Sequence, residues 1–413
     1  MLRRCSRVLA RVVWLCVAPL LHISPADIAL RLDRCYQREK GFGVSNNRNL
    51  HTSKNARVDE FYTQIPDIEK EMGEYVKHNP DVFRGKTILL PCDDPTWSNF
   101  TKYFVENFSA LGIRKLISSG YASGAVRKSK ETLFSIGEEV RSDEETRGKV
   151  LILDSSNKAS CEGLDMNNLP WEYLEGDGDF RSAEVTAFRD EADFVITNPP
   201  FSLFREFIDW VRAGEVQFSL IGNVNAITYK SVFPLIAAEE MWLGTSKGGS
   251  MVFRIVDKGN TNESDRRKAD RLGYKSTNAE MYTRMGNVCW FTSVEHGVRH
   301  EPLQLKTMAE NLAENRRIAN NPRSYRKYDN YGAIEVPVTA GIPSDYDGIM
   351  GVPISFLHKY CPEQFEILGS DRWAKSQAVL DVYTGSVVPP ENDQKTTIDG
   401  VDTYSRIFIR HRR

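Results

Sequence analysis

The chain has 413 residues, 41% of them hydrophobic and 27% charged, with a formal net charge of -2. This composition excludes a wholly disordered or membrane-embedded chain, and the length suits one large domain plus a smaller one. A charge this near zero gives no global attraction to a polyanion, so any nucleic-acid surface has to come from a local cluster of Lys and Arg.

At the N-terminus Arg3, Arg4, Arg7 and Arg11 precede or interleave an apolar run from Val12 to Ile23, with no acid before Asp27. Export signals and organellar transit peptides share that pattern, while Pro19 and His22 interrupt it too soon for a membrane span. A targeting segment, with an organellar location, and an extension from an upstream start codon are the two readings. Residues 1–57 are therefore set apart from the fold.

Thr87 to Pro91 predicts a buried strand, ended by Cys92-Asp93-Asp94-Pro95, where the chain must turn. From Ser98 to Leu111, Phe100, Phe104, Phe108 and Leu111 fall at helical spacing behind a Ser98 cap. Ile113 to Ser119 is a second strand, residues 122–148 are a charged excursion, and Lys149 to Asp154 returns to strand character. Asp193 to Thr197, the helical Leu203 to Val211 and the strand Phe218 to Asn223 continue the alternation, which predicts a parallel sheet covered by helices on both faces. Met251 to Val256 and Asn287 to Val294 read as an antiparallel hairpin at the sheet edge, separated by the polar segment Asp257 to Glu280. Beyond about residue 300 the chain reads as loops rich in Pro, Gly, Tyr and Asn, which places a domain boundary near His300. Seven cysteines without a C-x-x-C pair argue against a zinc site or disulfide scaffold and fit a reducing, cytoplasmic compartment.

The chemistry centres on Asn198-Pro199-Pro200-Phe201, directly after the strand Asp193 to Thr197. In open α/β sheets ligands bind just beyond the carboxyl ends of the strands. Two prolines fix φ and stiffen the loop, so the Asn198 side-chain oxygen and the Pro199 carbonyl can be held as paired acceptors. An exocyclic adenine amine is a poor nucleophile because its lone pair is delocalised into the ring. Hydrogen bonds from its two protons to those acceptors would restore nucleophilic character without a strong base. Phe201 would stack on a base flipped out of the duplex, leaving mainly alignment to be supplied.

At this motif, and at Asp59-Glu60-Phe61-Tyr62-Thr63-Gln64, Pro91-Cys92-Asp93-Asp94-Pro95 and Asn287-Val288-Cys289-Trp290-Phe291-Thr292, the chain resembles the EcoRI-type adenine-specific DNA methyltransferases over roughly residues 55–370. The resemblance implies a Rossmann-like S-adenosylmethionine-dependent sheet over 58–300 with a C-terminal target-recognition region over 301–413. It implies S-adenosyl-L-methionine as cofactor, with Phe61, Tyr62, Thr63 and Pro91 lining it and Asp93 and Asp94 beside its amino acid or ribose part. Asp177 or Asp179, preferably Asp179, would meet its adenine. Double-stranded DNA is the implied partner, with no stable membrane partner, and a cognate restriction endonuclease would act on the same site without binding the protein. Two departures stand out. The usual glycine-rich loop is replaced by Cys92-Asp93-Asp94-Pro95-Thr96-Trp97, itself a trait of this family, and no acid follows the second strand, which runs into Gly120-Tyr121.

For DNA contact, Arg316, Arg317, Arg323, Arg326 and Lys327 are interleaved with Tyr325, Tyr328 and Tyr331, a mixture suited to phosphates and stacking. A solvated charged face is the alternative. Arg266, Arg267, Lys268, Arg271 and Lys275 form a second candidate, weakened by Glu263, Asp265 and Asp270. The rival functions are methylation of another planar nitrogen, in protein glutamine or RNA adenine, and a catalytically silent DNA-binding protein. Phe201 after Asn-Pro-Pro favours adenine over glutamine. A nicotinamide oxidoreductase fails on the missing Gly-x-Gly-x-x-Gly.

Overall fold

A computed structural model of the chain describes residues 61–122, 143–156, 168–245, 251–255, 263–277, 280–371 and 395–412. Residues 1–57 and most of the charged excursion 122–148 lie outside the described residues.

The described fold begins with β1 (Phe61–Thr63) and α1 (Ile65–His78), whose Pro66 sits in the first turn, where a missing N–H costs nothing. There follow β2 (Thr87–Leu90), α2 (Asn99–Glu106), β3 (Lys115–Gly120), β4 (Lys149–Asp154) and β5 (Glu172–Tyr173). Next come α3 (Ala183–Glu191), β6 (Phe194–Thr197), α4 (Phe204–Ala213), β7 (Gln217–Asn223), β8 (Trp242–Leu243), β9 (Met251–Ile255), α5 (Glu263–Arg271), β10 (Met281–Met285) and β11 (Val288–Thr292). Ser98 caps α2 as its sequence position predicts, its hydroxyl accepting from the amides of Phe100 and Thr101.

An eight-stranded sheet runs in the order β5-β4-β3-β2-β6-β7-β11-β8. Its centre, β3-β2-β6-β7, is parallel. The flanks are not: β4 pairs with β3, β5 with β4, and β11 with both β7 and β8 in antiparallel fashion. The expected parallel sheet is thus corrected to a mixed one. Gly120, the last residue of β3, lies opposite Lys149, the first of β4, so the chain re-enters from the same end without the crossover that a parallel partner needs.

Residues alternate between the two faces. Ile88, Leu90, Leu116 and Ile196 pack with Ile68, Met72 and Tyr75 of α1 and Phe100 and Phe104 of α2. Leu89, Ile117, Val195 and Leu220 pack with Val185 of α3 and Phe204, Phe207, Ile208 and Val211 of α4. Helices therefore cover both faces, as expected, and each large side chain buried there contributes about 1.5–3 kcal/mol.

The expected hairpin of Met251–Val256 with Asn287–Val294 does not form. β9 is instead the centre of a separate sheet, β1-β9-β10, with Phe61 opposite Ile255 and Met281 opposite Ile255 on the other side. β11 joins the main sheet instead. The polar segment between them holds α5, and β10 follows directly after it, so the partner that captures β9 is one the sequence pattern hides.

Beyond residue 300 the expected loops enclose a further, four-stranded sheet. β12 (Ala333–Glu335), β13 (Ile349–Pro353), β14 (Phe365–Ser370) and β17 (Arg406–His411) are arranged β12-β13-β17-β14, and β15 (Thr397–Ile398) pairs with β16 (Val401–Asp402). The segment around Gly348-Ile349-Met350-Gly351 becomes β13. Ile334, Met350, Val352 and Ile407 share one continuous core with Leu220 and Phe291 of the main sheet.

Candidate active site

The order of the parallel strands locates the site. From β2 the chain moves outward to β3, and from β6 outward the other way to β7, so the strand order reverses between β2 and β6. A crevice opens at the carboxyl ends flanking such a reversal. Those ends carry Pro91-Cys92-Asp93-Asp94 and Asn198-Pro199-Pro200-Phe201.

Asp93 joins the two. It is buried, and its Oδ1 accepts a hydrogen bond from Ser98 Oγ at 2.7 Å while Oδ2 accepts from Thr197 Oγ1 at 2.6 Å. Its amide donates to the Ser119 carbonyl at 2.8 Å, and its own carbonyl accepts from Ser118 Oγ at 2.6 Å. Burial lifts its carboxyl to about 6, against the pull of the two hydroxyl donors. Burial, followed by the Asp93 charge, also pushes the neighbouring Cys92 thiol well up.

Asp94 faces the other way. Its carboxylate accepts from the Thr96 amide at 2.8 Å and lies 3.7 Å from Lys149 Nζ. A Cβ on Gly120 would come within 2.6 Å of the Asp94 Cα, so the end of β3 has to be glycine for the two loops to meet. Beside it, the Asp177 carbonyl accepts from the Ala122 amide at 2.8 Å, and Asp177 Oδ1 accepts from the Asp179 amide at 3.1 Å. Gly178 between them takes φ of 80°. Arg181 at 2.6 Å holds the Asp179 carboxyl below its ordinary value. Burial and these two acids push up the phenol of Tyr121, which is 44% exposed and stands where an acid is usually expected.

The Phe61-Tyr62-Thr63 segment reaches the same place through α2, because the Thr63 carbonyl accepts from Asn99 Nδ2 at 2.7 Å. The Tyr62 ring meets Trp97 edge-on at 4.3 Å between centroids, and Arg254 lies over it at 5.0 Å. Phe61 is placed in β1 opposite Ile255. Thr63 Oγ1 and Ser119 Oγ are buried without a protein partner.

On the opposite wall, β6 is wholly buried and delivers Asn198, which is partly buried. Pro199 is buried, and Phe201 opens a short 3-10 turn that runs into α4, packing on the cluster that contains Ile196 and Trp290. The Pro200 carbonyl accepts from the Leu203 amide at 3.0 Å, which fixes the turn.

Thus the structure brings Tyr62, Thr63, Pro91, Asp93, Asp94, Asp177, Asp179 and Asn198 to one end of the sheet. The segment Arg323, Tyr325, Arg326 and Lys327 lies apart, before β12. Tyr325 donates its amide to the Glu335 carbonyl at 2.8 Å and its hydroxyl to the Gly341 carbonyl at 2.7 Å, with φ of 60°. Arg326 forms a two-pronged pair with Asp399 at 2.6 and 2.7 Å, while Lys327 is exposed and Arg323 partly so. Tyr328 and Tyr331 are core residues packed with Phe408, so the expected stacking surface loses both rings.

The sequence pattern marks neither Ser118 nor Arg254 as part of the site, and gives Trp97 and Tyr121 only as the residues that end the acidic loop and follow the second strand. Trp97 adjoins the acidic loop and carried a local signal; Arg254 comes from a strand whose pairing has none.

The chain matches the family model described as adenine-specific methyltransferase EcoRI over residues 49–412. It is 36% identical to the Type II methyltransferase M.EcoRI of Escherichia coli over 369 residues, 89% of this chain and 98% of that one. It is 30% identical to M.MpnI of Mycoplasma pneumoniae over 364 residues and 29% identical to M.MgeORF184P of Mycoplasma genitalium over 362, in each case 98% of the relative. No solved structure matches it. A family match across nearly all the described fold, together with an Asn-Pro-Pro-Phe loop at the reversal point of its sheet, makes the chain a member of the EcoRI-type adenine-specific methyltransferases.

Proposed function

We propose that the protein is a site-specific methyltransferase of double-stranded DNA, acting on the N6 amine of a flipped adenine as part of a restriction-modification pair. The observation that carries this reading is the placing of Asn198 across the switch point from an acidic, phosphate-averse loop. S-adenosyl-L-methionine would supply an electrophilic methyl group on a sulfonium. The loop fits such a group: Asp94, Asp177 and Asp179 suit an ammonium or ribose hydroxyls, and the Thr63 and Ser119 hydroxyls have bonding capacity left. The same carboxylates would repel a dinucleotide pyrophosphate.

Asn198 Oδ1 and the Pro199 carbonyl would accept hydrogen bonds from the two amine N–H groups; transfer of the methyl would leave the donor as a neutral thioether, and the extra proton of the methylated amine would pass to solvent. Phe201 holds the base by stacking, and Pro199 and Pro200 keep the acceptors from relaxing away. Phe61, Tyr62, Thr63 and Pro91 line the cofactor, and Arg323 and Lys327 contact the DNA backbone, Arg326 beside them being held by Asp399, within a C-terminal region (301–413) that reads the target. The test is incubation with methyl-labelled S-adenosylmethionine and unmethylated duplex DNA, followed by digestion to nucleosides. Label in N6-methyldeoxyadenosine is expected; label confined to protein or RNA overturns the reading.

A further inference from the structure

The carboxylate of Asp93 is turned inward, away from solvent and toward two protein hydroxyls. Oδ1 and Oδ2 are each taken by a short hydrogen bond, and the residue is only 5% exposed. One of its donors is itself committed. Ser98 Oγ accepts from the amides of Phe100 and Thr101, so its one proton points to Asp93. Thr197 is the last residue of β6, one peptide bond from Asn198. A single side chain therefore connects the first turn of α2, which holds the Thr63 carbonyl through Asn99, to the strand that delivers Asn198.

We propose that Asp93 is a positioning residue for methyl transfer: by clamping Thr197 to the capped end of α2, it sets the distance between the cofactor-side loop and Asn198, and it does not touch the cofactor. This rests on the methyltransferase reading above. The physical case is one of alignment. Hydrogen bonds to an ionised acceptor are the strong ones, and they hold both hydroxyls in a single geometry. With its amide and carbonyl fixed by Ser119 and Ser118, Asp93 cannot swing to follow a displaced β6. Loosening the clamp would let Asn198 drift along the strand axis, and a displacement of about 1 Å is enough to cost on the order of a hundredfold in rate.

The experiment is a double-mutant cycle of Asp93→Asn, Thr197→Val and both together. The single-turnover rate of methyl transfer to duplex DNA is measured alongside the equilibrium Kd for S-adenosylmethionine. Each single variant is expected to slow transfer by about ten- to a hundredfold with Kd changed by less than about threefold, and the double variant to be no slower than the worse single. A Kd that rises in step with the lost rate would make Asp93 a direct cofactor ligand and overturn the proposal. So would unchanged rates, or losses that multiply. Should Asp93→Asn fail to fold, Thr197→Val, which keeps shape and loses only the hydroxyl, decides by the same split. A wild-type protein that methylates no DNA overturns the functional reading itself. An active wild type with equally active variants overturns the positioning role alone.

Discussion

Two segments of this chain are dense in polar and aromatic residues, and the fold uses them in opposite ways. Around Asn198 the neighbouring polar groups, Asp93, Ser98, Ser118 and Thr197, satisfy one another and leave the acceptor loop at the mouth of the sheet. Around Arg326 the fold consumes the chemistry. Tyr328 gives its hydroxyl to Glu335, Tyr325 gives its hydroxyl to Gly341, and Arg326 is held by Asp399. Composition was similarly suggestive in both; position was not. A residue beyond the carboxyl end of a strand at a switch point has a ligand to face, whereas a basic, tyrosine-rich stretch beside a small sheet has first to close that sheet.

The sharpest way to break this comparison is in the second segment. Arg406 and Glu335 form an ion pair in which both side chains are less than 7% exposed, and Glu335 also receives the Tyr328 hydroxyl. Glu335→Ala strands a buried guanidinium and should cost about 3–5 kcal/mol of unfolding free energy in denaturant titration. A loss under about 1 kcal/mol would mean that the pair is solvated and the segment freer than described.

Asp93 offers a pH test of the first segment. Its carboxyl is raised from 3.8 to about 6, chiefly by burial, so the fold favours its protonated form. That contribution is complete below about pH 3.8 and lost as pH rises through about 6. Asp93→Asn cannot ionise and should gain on wild type by about 3 kcal/mol across that window, with no further gain above about pH 7. A stability difference that is flat from acid to neutral pH would place Asp93 in solvent.

Two smaller effects separate structural from DNA-facing residues in the Arg326 segment. Tyr325→Phe loses one hydrogen bond to Gly341 and should cost about 1 kcal/mol in thermal unfolding, with unchanged affinity for duplex DNA. Lys327→Ala, at an exposed position, should leave stability alone and lower the slope of log affinity against log salt by about one. The reverse pattern, with Tyr325 governing DNA affinity, would return this segment to a stacking role.

Legibility followed the same division. β2, β3, β6 and β7 were readable because central parallel strands are continuous apolar runs, and α2 and α4 because their buried residues recur at helical spacing. The Ser98 cap was readable from its type and place. The direction of β4 was not, since a strand's pattern records which face is buried and not which way the chain runs. Nor was the β1-β9-β10 sheet, which joins Tyr62 to Arg254, far apart in the sequence. In the site, Asn198 stood out because its motif is contiguous. The wall facing Asn198 is assembled from β1, the loop after β2, the end of β3 and the Asp177–Asp179 turn, and only the three-dimensional pairing shows that they meet.

The central claim is that Asn198 holds the reacting amine. Single-turnover methylation of adenine in duplex DNA, by wild type and by Asn198→Ala at saturating S-adenosylmethionine, tests it most directly. The expected result is a rate lowered by about a hundredfold or more, with the Kd values for cofactor and DNA nearly unchanged. An Asn198→Ala protein that methylates adenine at the wild-type rate would contradict the account.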